Sequence, residues 1–114
     1  MGTTTIDLFR SGSGGSPQLD KVRISGLDPD VDTFADHMQR VWVIANGKGV
    51  SSSDAVDPTW TGKPWRLPAG STFPDVLQPW EDEPGHWAWE PVNTMLLADY
   101  QDALASVHPQ FIKV

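Results

Sequence analysis

Apolar and polar positions alternate along several short stretches of the chain, which is the pattern expected of half-buried β-strands. In the stretch from His86 to Glu90, the side chains of His86, Ala88 and Glu90 fall on one face and two tryptophans fall on the other. By alternation or by β-branched and aromatic content, strands are predicted at residues 5–9, 41–44, 50–53, 63–68, 73–80, 86–90 and 111–114.

Helical spacing of apolar residues predicts one long helix near the end of the chain. It runs from Met95 to Val107, with Asn93 or Thr94 available as its cap and Pro109 placed to end it. Its apolar face consists of Leu97, Tyr100 and Leu104. A shorter helix, capped by Asp30 or Asp32, is predicted from the spacing of Val31, Phe34, Met38 and Val41.

Turn-forming residues separate these elements. Residues 11–17 are rich in Gly and Ser, residues 46–49 are Asn-Gly-Lys-Gly, and Pro-Ala-Gly at 68–70 divides two predicted strands. The acidic stretch at residues 81–85 is predicted to be a further turn. Because strands outnumber helices and are joined by short connections, we expect a single α+β domain over residues 1–114 with a compact, mostly antiparallel sheet.

Composition excludes several kinds of activity. The 114 residues carry a net charge of −7, which argues against nonspecific binding to nucleic acid or to an anionic membrane surface. The chain has no cysteine, so thiolate metal sites and cysteine nucleophiles are excluded. No signal peptide, transmembrane stretch or histidine pair with zinc spacing is visible, and we expect a protein that acts in the cytosol without a metal.

Four groups of residues are candidates for chemistry. Arg10 ends a strand beside the Gly/Ser-rich loop, where a guanidinium can hold a phosphate, although a surface arginine fits equally. Ser51 and Ser52 offer hydroxyls to a ribose or serve only as loop caps. His86 shares a strand face with Glu90 and suits a proton donor, a general base or a purely structural role. No G-x-S-x-G motif is present, so nucleophilic serine catalysis is not expected.

The remaining candidates are the carboxylates that precede His86. Glu81 and Glu83 have a Glu-x-Glu spacing that can set one carboxylate against an oxocarbenium-like centre. The prolines and glycine around them instead favour a solvated turn.

The motifs, taken in order, resemble the ADP-ribosyltransferase-like bacterial toxins typified by a type VI secretion-exported effector. The similarity covers most of the chain from Asp7 to about Val107. It rests on Leu8-Phe9-Arg10, Gly49-Val50-Ser51-Ser52, the strand-turn-strand 65–77 with its Leu-Pro-Ala-Gly centre, Gly85-His86-Trp87-Ala88-Trp89-Glu90-Pro91, and the helix 95–104.

The resemblance implies a split antiparallel sheet whose cleft binds NAD, with few short helices. It implies that Arg10 contacts the dinucleotide, that Ser51 and Ser52 shape the nicotinamide-ribose site, and that His86 lines the same cleft. The implied activity is transfer of ADP-ribose to a macromolecular target in a bacterial cytosol. A cognate antitoxin or immunity protein is expected to cover the cleft, and delivery into a target cell is compatible with this role.

One departure from the family pattern leaves the reaction open. Many ADP-ribosyltransferases carry a catalytic Glu shortly before the Leu-Pro-x-Gly turn, whereas residues 61–65 here contain no acid. Glu90, Glu81 or Glu83 would have to substitute for it. The alternative is a protein-binding module on the same fold that consumes no NAD, and a small phosphotransferase or nuclease is disfavoured by the missing P-loop and metal motifs.

Overall fold

Eleven short β-strands and one α-helix form the chain in the computed structural model, which describes residues 1–114. The strands are β1 Gly2–Thr3, β2 Leu8–Gly12, β3 Thr33–Ala35, β4 Val41–Val43, β5 Val50–Ser53, β6 Lys63–Leu67, β7 Thr72–Phe73, β8 Leu77–Glu83, β9 His86–Pro91, β10 Met95–Leu96 and β11 Ile112–Lys113. The helix α1 is Leu97–Val107, followed by a 3₁₀ turn at His108–Gln110. Every strand pairing is antiparallel, so the expected α+β class with antiparallel sheets is confirmed.

The largest sheet has six strands in the order β11-β6-β2-β5-β9-β8. Strand β2 pairs with β6 at five positions but with β5 at only one, Phe9 opposite Ser53. Strand β5 in turn pairs with β9 at four positions. The sheet is therefore weakly joined between β2 and β5, where the Arg10 side chain adds a hydrogen bond to the single backbone pair.

A smaller sheet, β10-β4-β3, occupies the region where the short helix was predicted. That prediction is wrong, because residues 33–43 form a hairpin. The Asp36 carboxylate accepts backbone N–H bonds from Met38 and Arg40 and closes the turn, which competes with helix formation. Phe34 and Val41, two of the residues whose spacing suggested a helix, lie instead on opposite strands of the hairpin, and Phe34 stacks on Trp42.

Helix α1 packs its apolar face into the core. Tyr100, Leu104 and Val107 are fully buried among residues of the large sheet, including Trp89. The helix begins two residues later than expected, because Met95 and Leu96 pair with β4. No side chain caps it. The end of the helix at Val107, just before the turn that contains Pro109, is confirmed.

The other strand boundaries shift in ways that matter for the site. The single strand predicted at 73–80 is two strands, β7 and β8, separated by a turn after Pro74. Strand β8 continues to Glu83, so the acidic stretch 81–83 is a strand and not a turn. The reversal occurs at residues 84–85, where Gly85 has a positive φ of 81°. No helix has both the length and the hydropathy to cross a membrane.

Candidate functional site

Three strands and one hairpin bring the candidate residues of the site together. Arg10 lies on β2, Ser51 on the adjacent β5, and His86 at the start of β9. The register of β5 and β9 sets Ser53 opposite His86 and Ser51 opposite Ala88, so Ser51 and His86 are diagonal neighbours. This cluster lies where β2 and β5 are least joined.

The guanidinium of Arg10, on β2, donates hydrogen bonds both to β5 and to the loop that follows β2. Its Nη1 donates to the Ser51 carbonyl at 2.6 Å, its Nε to the Pro17 carbonyl at 2.9 Å and its Nη2 to the Gln18 carbonyl at 3.1 Å. Burial lowers the pKa of Arg10 from its usual value. Arg10 therefore holds the loop against β5 and keeps two of its five N–H groups for other partners.

Ser51, His86 and one residue that was not expected form a hydrogen-bonded chain. His86 Nε2 lies 3.0 Å from Ser51 Oγ, and His86 Nδ1 lies 2.5 Å from Asp82 Oδ1. An ionised carboxylate only accepts, so Nδ1 donates in this contact, and in the neutral form of the histidine Nε2 then accepts from the serine hydroxyl. Asp82 Oδ1 also accepts the backbone N–H of Glu83 at 3.0 Å, which fixes its orientation.

Asp82 reaches His86 because the strand is irregular at that residue. The β8–β9 register runs from Glu81 opposite Trp87 to Glu83 opposite His86, which leaves Asp82 as a bulged residue. A bulge turns a side chain out of the regular alternation. The sequence signal for Asp82 was therefore weak, since only its position four residues before His86, across a Pro-Gly turn, pointed to it.

The side chains of the other two expected site residues take no part in this hydrogen-bonded chain. Ser52 is buried, and its hydroxyl accepts the indole N–H of Trp89 at 3.0 Å, on the opposite face of β5 from Ser51. Glu90 accepts a hydrogen bond from Gln78 on β8 and lines none of the cavities. It lies four residues along β9 from His86, or about 13 Å in an extended strand.

Three cavities have Ser51 in their wall, and the two larger ones differ in charge. The first, of about 380 Å³, is called the acidic cavity: its wall includes Ser51, His86 and four carboxylates, with two cationic side chains. The carboxylates are Asp28, Asp30, Asp82 and Glu83, and the cations are Arg23 and Lys48. Both cations are paired with carboxylates, Arg23 with Asp30 at 3.0 Å and Lys48 with Asp32 at 3.2 Å.

The second cavity, also of about 380 Å³, is called the basic cavity. Its wall contains three cations and one carboxylate among Arg10, Gln18, Lys21, Arg23, Asp30 and Ser51. The two cavities share Arg23, Asp30 and Ser51 in their walls and therefore adjoin each other, and together they are called the cleft. Ser51 therefore stands at the boundary between a region rich in positive charge and a region rich in negative charge.

The loop of residues 19–31 supplies much of both walls and is anchored at its ends. Leu19 and Val31 are fully buried in the core. Within the loop, Arg23 and Asp30 exchange backbone and side-chain bonds, including Arg23 N–H to Asp30 Oδ2 at 2.8 Å. The hydrogen bond that Arg23 donates to the Asp30 carboxylate raises the pKa of Arg23, which stays charged. The loop thus keeps fixed charges at the mouth of the cleft.

No group of three or more His, Cys, Asp or Glu side chains is arranged to hold a metal ion. Comparison of the chain with protein-family models, with curated proteins and with solved structures finds no match.

Proposed function

We propose that this protein is an NAD-dependent ADP-ribosyltransferase of the toxin type. It acts in the cytosol of a bacterial cell and is held inactive by an immunity protein that covers the cleft. The observation that carries the proposal is the division of the cleft into a basic and an acidic cavity that meet at Ser51. The ordered motifs that resemble this toxin family point in the same direction.

The charge of the cleft suits the charge of NAD. The dinucleotide carries two negative charges on its diphosphate and a positive charge on its nicotinamide ring. The basic cavity, with Arg10, Lys21 and Arg23, suits the diphosphate, while the acidic cavity suits the cationic ring. Ser51 lies between the two, beside the position expected for the ribose that joins them.

The acidic cavity also suits the reaction. Loss of nicotinamide from the ribose passes through an oxocarbenium-like transition state that is positively charged at the ribose. Preorganised carboxylates near that charge lower its energy. Glu83 is the strongest candidate, because its carboxylate lines the cavity and accepts no side-chain or backbone hydrogen bond. Glu81, in contrast, accepts the N–H of Gly85 and stabilises the turn.

A binding module that consumes no NAD is the second candidate. It is favoured by the position of Glu90 outside the cleft and by the lack of an acid in residues 61–65, which lead into and form β6. It is also favoured by the three bonds that tie Arg10 to backbone carbonyls. In this case the cleft would hold part of a protein partner.

Nicotinamide release from NAD by the purified protein distinguishes the two candidates. We expect release by the wild type, a decrease in kcat of about 100-fold for Glu83→Gln, and little change in the affinity for NAD. Glu90→Gln, with the same change in charge and size on the neighbouring strand, should keep its activity. If Glu90→Gln rather than Glu83→Gln loses activity, the assignment of the acid is wrong.

The toxic role is tested by expression of the protein alone in the bacterial cytosol. The proposal expects growth arrest by the wild type and growth with Glu83→Gln. Normal growth with the wild type, expressed without any partner, would contradict the toxin role. Growth arrest that persists with Glu83→Gln, together with no nicotinamide release in vitro, would support the binding module.

A further inference from the structure

The chain of Ser51, His86 and Asp82 has the connectivity of a serine nucleophile with its base. The serine hydroxyl meets Nε2 of the histidine at 3.0 Å, and the carboxylate meets Nδ1 at 2.5 Å. These are the atoms and distances by which a histidine accepts a serine proton while a carboxylate holds its ring. ADP-ribosyl transfer as proposed above requires no such nucleophile, so the arrangement is unexplained by that reaction.

The three residues are held by separate features of the fold. Ser51 lies within a strand paired with β9, and its carbonyl accepts from Arg10. His86 begins β9 directly after the Gly85 turn. Asp82 is oriented by the bulge and by the backbone N–H of Glu83. None of the three depends on a flexible terminus, so the hydrogen-bonded chain is built into the sheet.

The site is also open to a reagent. The side chain of His86 is 39% exposed and that of Asp82 is 27% exposed, and all three residues line the acidic cavity. A third cavity, of about 260 Å³, also has Ser51 and His86 in its wall, together with Phe9 and Trp60. Small molecules can therefore reach the Ser51–His86 pair from either of two cavities.

We propose that Ser51 is a nucleophile toward acyl groups, activated by His86 as general base, with Asp82 as the residue that positions the histidine. The substrate class is a small polar ester that is neutral or cationic. The acidic cavity, whose wall has Pro29 as its one apolar side chain and four carboxylates against two cations, disfavours an anionic ester. This activity does not rest on the proposed reaction with NAD.

The reaction would run in two balanced steps. Ser51 Oγ attacks the carbonyl carbon of the ester, and its proton passes to His86 Nε2. The bond from that carbon to the alcohol oxygen breaks, and the alcohol leaves with the proton from Nε2. Water then attacks the acyl-serine, gives its proton to Nε2, and releases the carboxylic acid as Ser51 recovers its proton.

A fluorophosphonate probe tests the nucleophile directly and without NAD. Attack by Ser51 Oγ on phosphorus displaces fluoride and leaves the probe bound to the serine oxygen. We expect mass mapping of the labelled wild-type protein to find the adduct on Ser51 and not on the exposed Ser25. Labelling at no serine, or equal labelling of several surface serines, would overturn the proposal. The test uses only the wild-type protein, so it does not depend on the folding of a variant.

Matched variants test the other two residues. His86→Gln should slow labelling by about 100-fold, as expected for loss of a general base, while His37→Gln on the exposed β3–β4 turn should not change it. Asp82→Asn should slow labelling by about tenfold or more, while Asp102→Asn on the exposed side of α1 should not. A rate of labelling unchanged in His86→Gln would contradict the role of the histidine.

The role of Asp82 needs a readout that loss of structure would not reproduce. If Asp82 fixes the histidine tautomer, Asp82→Glu, which keeps a carboxylate, should recover part of the labelling rate that Asp82→Asn loses. Equal rates for the two variants would mean that Asp82 only supports the hairpin.

The charge preference is tested with two acetyl esters of similar size, one with a quaternary ammonium group and one with a carboxylate. We expect hydrolysis of the cationic ester to be about tenfold faster at low ionic strength. A preference for the anionic ester would overturn the substrate class.

Discussion

Removal of one oxygen atom from Tyr100 tests how the helix holds the strand that carries Ser51. The phenol of Tyr100, the only tyrosine in the chain, is fully buried. Its hydroxyl donates to the Trp89 carbonyl at 2.6 Å and accepts from the Val50 N–H at 3.1 Å. It therefore joins α1 to β5 and β9 at the residue next to Ser51. Tyr100→Phe removes both bonds and leaves the ring in place.

The loss of unfolding free energy in Tyr100→Phe comes from the two backbone groups that lose a hydrogen-bond partner. Val50 is fully buried, and its N–H would be left without an acceptor, at about 1–3 kcal/mol. The Trp89 carbonyl loses one of its donors, at about 0.5–1.5 kcal/mol. Relief of the hydroxyl's own burial offsets part of this. We expect a net loss of about 1–4 kcal/mol, a sizeable fraction of the 5–15 kcal/mol typical of a domain.

Equilibrium unfolding in urea, followed by tryptophan fluorescence, measures this loss. Ser106→Ala is the control, because the Ser106 hydroxyl donates to the Ala103 carbonyl on the same helix but is only partly buried. We expect a change below about 0.5 kcal/mol for the control. A loss below about 1 kcal/mol for Tyr100→Phe would refute the reasoning, since the two bonds would then add little.

Burial also raises the pKa of Tyr100, so the phenol stays neutral where an exposed tyrosine ionises. The pKa of Tyr100 is higher in the folded state than in the unfolded state. The stabilisation that the neutral, buried phenol provides is therefore complete below about pH 10 and decreases above it.

Three further predictions concern other parts of the fold. The indole N–H of Trp42 lowers the pKa of Asp36 to about 2, so the stabilisation of the β3–β4 hairpin is present above about pH 4 and lost toward pH 2. Asp36→Asn should reduce the change of the unfolding free energy, measured in urea, between about pH 2 and pH 4. The same pH dependence in the variant and the wild type would contradict this. A Cβ at Gly49 would lie 2.1 Å from the Trp89 carbonyl oxygen, so Gly49→Ala should lower the melting temperature by several degrees, whereas Gly14→Ala, with no atom within 4 Å, should not. Arg10→Lys keeps the charge but cannot make all three guanidinium hydrogen bonds, so it should lower the unfolding free energy by about 2–4 kcal/mol. A loss below about 1 kcal/mol, measured by unfolding in urea, would contradict this.

The parts of the fold that the sequence predicts are those with a strong local pattern. The stretch from His86 to Glu90 alternates strictly and is a strand, and the apolar face of α1 is clear enough to predict its end at Val107. The β3–β4 hairpin was missed because a side chain, Asp36, closes its turn by bonds to the backbone. Such local competition is not visible in the spacing of apolar residues.

The site was harder to predict because it depends on register and on the path of a loop. Arg10, Ser51 and His86 were each identified by residue type and motif, but their distances follow from the pairing of distant strands. Asp82 joins them only because of a bulge in β8. Half of the charged residues that line the two cavities come from residues 21–30, a loop with no strand or helix, which is anchored at Leu19 and Val31.

Calorimetric titration of the protein with NAD tests the central claim most directly. The wild type should bind NAD saturably, and Lys21→Ala, which removes a cation from the basic cavity, should weaken binding by about tenfold. Lys63→Ala, the same change at an exposed position on β6 outside both cavities, should leave the affinity unchanged. No binding at millimolar NAD, or equal weakening by the two variants, would contradict an NAD site in this cleft.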